Sequence, residues 1–109
     1  MGKDNSGKTS SSDCVPWLKA LADETRFAIV RLLMRQPLSV GAVATELSLT
    51  QYNASKHLRI LREAGLVEQN IQGRVHEYTV TPDFRRRMSS DKTCLDLGCC
   101  SFQFDQKKG

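Results

Sequence analysis

The spacing of apolar residues changes character along the chain. Residues 1–12 carry no apolar side chain after Met1, so they cannot bury enough surface to offset ordering and are expected to form a disordered arm. From Pro16 the stretch PWLKALA reads as a short helix. DETRFAIVRLLMRQ then places Phe27, Val30, Leu33 and Met34 at helical spacing behind a capping Asp23, until Pro37 stops it. Ser39 caps a third helix in which Val40, Val43, Ala44 and Leu47 share one face. Thr50 caps a fourth, QYNASKHLRILREA, with Ala54, Leu58 and Leu61 inward and Gly65 in the left-handed position past its end. Beyond Gly65 the period drops to two. LVEQNI and RVHEYTV read as the strands of a β-hairpin turning at Gln72 and Gly73, and Thr81 with Pro82 opens a last short helix, TPDFRRRM.

Two short helices joined by a tight turn, then a hairpin and a closing helix, predict a mainly α fold with a small β-hairpin, a winged helix-turn-helix. The chain divides accordingly into an arm (1–12), a winged helix-turn-helix domain (13–90) and a cysteine-bearing C-terminal segment (91–109). At 109 residues and 39% hydrophobic, it has material for one modest core. The longest apolar runs span only a few residues, which points away from a membrane and a signal peptide and toward the cytoplasm, where thiols are kept reduced.

The net charge of +4 is unevenly placed. Between Thr50 and Arg87 seven Lys and Arg stand against four Asp and Glu, so three of the four excess charges fall in about a third of the chain. That local excess attracts polyanions. With Ala54, Leu58 and Leu61 inward, the fourth helix turns amides, hydroxyls and cations outward from its first turns. Gln51, Tyr52, Asn53, Ser55 and Lys56 are the candidates to read base edges in a major groove. Arg59 and the wing's Arg74 are the candidates for phosphate contacts in double-stranded DNA. His57 flanks the inward stripe and is read as packing; His76 in the wing is expected near solvent or the DNA backbone.

LKALADETRFAIVRLL, LTQYNASKHLRILREAGLV and GRVHEYTV, in that order and spacing, resemble the ArsR/SmtB family of bacterial metal-sensing repressors over residues 17 to about 88. The resemblance implies a homodimer that binds a palindromic operator and releases it when an inducer binds; no enzymatic activity and no prosthetic group are expected. Two metal sites of that family are missing. A pair of cysteines near the third helix would fall on Ser39 and Gly41, and the Asp and His pairs of the last helix have only Asp83 here, with no histidine after His76.

The remaining candidate is CLDLGCCSFQFD, which holds Cys94, Cys99 and Cys100. Thiolates favour soft ions, and trivalent arsenic or antimony bonds three sulfurs in a pyramid without a fourth protein ligand. Family members with a terminal three-cysteine cluster resemble arsenite-responsive repressors, which makes trivalent arsenic or antimony the expected inducer. On one helix the three thiols would point at roughly 0°, 140° and 240°, and on one straight strand Cys94 and Cys99 would lie about 16 Å apart. The chain must therefore bend between them, at Gly98, or one ligand must come from a second subunit.

Other readings stay open. The cysteines could serve a thiol redox or persulfide sensor on the same frame, a sensor of another soft metal, or a buried terminal hairpin that uses cysteine as a small hydrophobe. A zinc-held module would need Cys14 as fourth ligand; Cys14 is otherwise read as unliganded. A thiol oxidoreductase would show Cys-x-x-Cys at a helix start, which is not the spacing here.

Overall fold

The computed structural model describes residues 10–90, 94–97 and 100–104, and the order of elements is that of a winged helix. Helices α1 (Ser10–Leu21), α2 (Glu24–Arg35), α3 (Val40–Leu47) and α4 (Gln51–Glu63) precede strands β1 (Val67–Gln72) and β2 (Val75–Val80). A short α5 (Pro82–Arg86) follows, then a second hairpin of β3 (Cys94–Asp96) and β4 (Ser101–Gln103).

The helix starts follow local chemistry. Asp23, Ser39, Thr50 and Thr81 sit in extended backbone, and each side chain accepts from the amide three residues on, at Arg26, Ala42, Asn53 and Phe84. Such a cap is worth about 1 kcal/mol because those amides have no partner inside the helix. Pro82 fills the first turn of α5, where a missing N–H costs nothing. Gly65, at φ +87°, ends α4 in the left-handed region as its sequence position requires.

Three expectations shift. Helix α1 begins at Ser10 rather than Pro16, so its first residues overlap the expected arm. Cys14, Trp17 and Leu21 form a buried stripe at helical spacing, with Pro16 inside the helix. The wing turn lies at Gly73 and Arg74, one residue later than read, because Gln72 already pairs with Val75. Gly73 at φ +61° is the first central residue, as a two-residue primed turn demands. In α2 the fully buried residues are Ile29, Val30 and Leu33, while Phe27 and Met34 are half-buried; α2 packs against α1, α3, α4 and β2, so its apolar face is wider than one stripe.

The stripes of α4 (Ala54, Leu58, Leu61) and α3 (Val43, Ala44) close over α2 together with Leu66, Val67, Tyr78, Val80 and Phe84. The wing is joined to this core by a third short pairing. Leu38, between α2 and α3, exchanges both amide bonds with Tyr78 at 3.0 and 2.8 Å, which fixes the angle between wing and helix-turn-helix.

The C-terminal segment is part of the same core. Leu95, Leu97 and Phe104 are 0%, 2% and 3% exposed. Phe104 stacks on Phe27 with ring centres 4.8 Å apart. Strand β3 also runs antiparallel to the stretch after α5, through Ser89 N to Cys94 O and Asp96 N to Arg87 O, both at 2.8 Å. No helix among the described residues is long and apolar enough to cross a membrane.

Candidate functional site

The first turns of α4 present Gln51, Tyr52, Asn53, Ser55, Lys56 and Arg59, all exposed, on the side opposite the core. Tyr52 is 77% exposed, an unusual position for a ring unless it meets a partner. Arg74 is exposed at the wing tip, between the exposed apolar side chains of Ile71 and Val75. Every residue singled out for DNA contact therefore lies on the surface, on the two elements expected to carry it. Arg59 is engaged by Glu63 at 3.2 Å, a pair with both side chains mostly in solvent. Such a surface pair is worth no more than about 1 kcal/mol, so a phosphate can displace it.

What holds α4 in place was not legible from motifs. Arg26, three residues into α2 from its cap, donates from Nε to Ala20 O at 2.6 Å and from Nη2 to Lys19 O at 3.5 Å, closing the open carbonyl end of α1. Its Nη1 lies 3.3 Å from Nδ1 of His57 on α4. A guanidinium only donates, so this bond needs Nδ1 as the unprotonated acceptor. His57 is half-buried in this contact, in agreement with a packing role, and His76 is exposed in the wing. The Arg26 amide, and then its guanidinium, hold the Asp23 carboxyl below the usual carboxylate range against the opposing effect of burial. One Asp-x-x-Arg step thus ties α1, α2 and the exposed helix together, and the spacing of Asp23 and Arg26 is the only sequence signal for it.

The cysteines are distributed differently from expectation. Cys94 and Cys100 sit on one hairpin, and the bend required between Cys94 and the later cysteines exists: Asp96 pairs with Ser101, and Leu97 N donates to Cys100 O at 2.9 Å across the reversal. Cys99 lies outside the described residues. Cys94, in register with Gln103, is half-buried on the face opposite Leu95. It lines an open depression of about 570 Å³ with Arg86, Arg87, Met88, Ser89 and Asp96. Among the described residues no three Cys, His, Asp or Glu side chains converge as for a metal ion.

Cys14, expected to stand apart, is 2% exposed, and its sulfur is 3.2 Å from the carbonyl oxygen of Leu97 at the hairpin turn. It is disulfide-bonded, whereas Cys94 and Cys100 lie outside any disulfide. Arg87 stabilises the same corner: its guanidinium lies 5.4 Å from the Trp17 ring centre and donates to Leu97 O at 3.2 Å.

An exposed, cation-bearing helix after a tight turn, beside a two-stranded wing, defines a winged helix-turn-helix of the DNA-binding kind. Residues 21–70 match a family described as a helix-turn-helix domain. The transcriptional activator HlyU of Vibrio cholerae is 38% identical over 72 residues, covering 66% of this chain and 67% of that protein. The arsenical resistance operon repressor of Escherichia coli is 43% identical over 65 residues, 59% of this chain and 56% of that one. A solved homodimeric winged helix-turn-helix domain from Mycobacterium bovis, described as a possible ArsR-family regulator, superposes with a TM-score of 0.64 at 27% identity, covering 72% of this chain and 78% of that chain. The chain belongs to the ArsR family of winged-helix transcriptional regulators. It spans about 56% to 67% of the length of the curated relatives it matches here.

Proposed function

We propose that this regulator is a repressor: a homodimer that binds double-stranded operator DNA and leaves it when trivalent arsenic or antimony occupies its cysteine site. It has no enzymatic role and no prosthetic group in this reading. The observation that carries it is the docking of the cysteine-bearing hairpin into the core. Phe104 stacks on Phe27 of α2, Leu97 meets Cys14 of α1, and α2 reaches α4 through Arg26 and His57. A ligand that draws thiols together at that hairpin works on the packing that orients the DNA-facing helix. A coupling of about 1–3 kcal/mol is the ordinary size of such a linkage and corresponds to about 5- to 150-fold in DNA affinity. The name of the E. coli relative supports an arsenic-linked role, and the M. bovis domain supports a dimer.

The oxidised state of Cys14 favours a second reading, a redox-sensing repressor on the same frame. One experiment separates the two. A duplex is selected from a randomised pool, and its binding is followed by fluorescence anisotropy with the protein reduced by a phosphine, first with added arsenite and then with peroxide in its place. Release by arsenite alone supports the inducer site. Release by peroxide alone supports the redox reading, and release by neither refutes both.

A further inference from the structure

Helix α4 rests on the core through Ala54, Leu58 and Leu61, whose apolar contacts have no direction and leave the helix able to roll about its axis. One directional bond opposes that roll. Among the described residues, the only hydrogen bond that joins a side chain of α4 to another helix is the one between Arg26 Nη1 and His57 Nδ1, at 3.3 Å. The guanidinium is itself fixed, since its other nitrogens donate to Ala20 O at 2.6 Å and Lys19 O at 3.5 Å. His57 lies one turn beyond Asn53 and next to Lys56, so a bond at its ring sets where those exposed side chains point.

The charges around the ring give this bond a sign. Protonated on both nitrogens, His57 has no acceptor left and becomes a second cation 3.3 Å from the guanidinium. Asp23 offsets a part of that repulsion, for its carboxyl is held low by the Arg26 amide first and by the charges of Arg26 and His57 after it. Lys19 of α1, Glu24 of α2, Glu46 of α3 and Glu68 of β1 are exposed, and among the described residues none of them bonds to the ring.

We propose that Arg26 and His57 are positioning residues for DNA binding and make it sensitive to pH: neutral His57 holds α4 in the orientation that fits a major groove, and a proton on Nδ1 releases it. The proposal rests on the DNA-binding part of the reading above and involves no inducer. A released α4 that keeps this orientation in about one molecule in ten lowers the affinity about tenfold. Exposed His76 in the wing works in the opposite direction, because a proton there favours a polyanion. His57→Asn separates the two: it puts an amide oxygen where Nδ1 stands, accepts from Arg26 and takes up no proton.

The test uses the full phosphine-reduced chain and a duplex selected from a randomised pool. Anisotropy gives the affinity at constant ionic strength between about pH 5.5 and 8, the range in which histidines change charge, for the intact protein, His57→Asn and His57→Leu, with Trp17 fluorescence reporting folding. His76 and the thiols contribute equally to all three profiles. The intact protein and His57→Asn are expected to agree within about twofold at the alkaline end and to diverge by about tenfold at the acid end, the intact protein being weaker, while folded His57→Leu is about tenfold weaker throughout. In the DNA-free protein, nitrogen NMR of the imidazole should show the proton on Nε2 at the alkaline end. Parallel profiles for the intact protein and His57→Asn, full affinity in His57→Leu, or a proton on Nδ1 at the alkaline end overturns the proposal. A chain that binds no duplex at any pH refutes the DNA reading and the pH link together, and the imidazole spectrum still reports whether Arg26 holds α4.

Discussion

Phe104→Ala tests whether the C-terminal hairpin belongs to the folded core. Phe104 is 3% exposed and stacks on Phe27 at 4.8 Å with an interplanar angle of 21°. Truncating a buried phenylalanine costs about 3–5 kcal/mol, of which an aromatic pair accounts for about 0.5–1.5. Phe27 is itself half-buried, so the cavity is partly open to solvent and the lower figure, about 3 kcal/mol, applies. For a domain of this size that lowers Tm by about 12 °C or more. Urea unfolding of the phosphine-reduced protein, read by fluorescence, measures it directly: Trp17 is the only tryptophan and packs 5.8 Å from Phe84 in the core. A loss under about 0.5 kcal/mol, typical of a surface substitution, would refute the docked hairpin and with it the mechanical link between cysteines and α4.

Asp23→Ala removes a helix cap and is expected to cost about 1 kcal/mol in the same assay. Because the folded Asp23 titrates below its ordinary 3.8, its charge contributes stability above that pH and loses it as the pH falls through the lower folded value; thermal melts between pH 2 and 6 should show a shallower acid limb in Asp23→Asn. Gly73→Ala meets no atom within 4 Å, so its expected cost of about 1–2 kcal/mol comes from the left-handed backbone alone, and a stability-neutral variant would show that the wing turn relaxes freely. On a selected operator, Asn53→Ala should lose about 1–3 kcal/mol and relax sequence preference, whereas Arg74→Ala should weaken all duplexes alike and lower the salt slope by about one; equal effects on cognate and random DNA from Asn53→Ala would remove it from base reading.

The helix caps were legible in the sequence because each is a contact between residues three apart, and Asp23, Ser39, Thr50 and Thr81 all make it. The inward stripe of α4 was legible for the same reason, and with it the outward set from Gln51 to Arg59. Errors arose where distant parts set the outcome. Ile29 is buried because neighbours pack on several sides of α2, and the wing turn moved by one residue because strand pairing, not turn composition, selects its register. Helix α1 starts before Pro16 because Cys14 acts as a small apolar residue in its buried stripe, which its thiol character does not announce.

By itself the sequence determined the order of elements from α1 to α5, the capped starts of α2 to α5 and the outward face of α4, since all of these follow from periodicity and capping within a few residues. Tertiary structure alone decided where the cysteines lie. The bridge Leu38 to Tyr78, the Arg26 to His57 contact and the seat of Cys14 against Leu97 join residues far apart in the chain. No spacing rule records such pairs. The last of them exists because burying Leu95, Leu97 and Phe104 in the shared core carries the terminal hairpin back to the first helices.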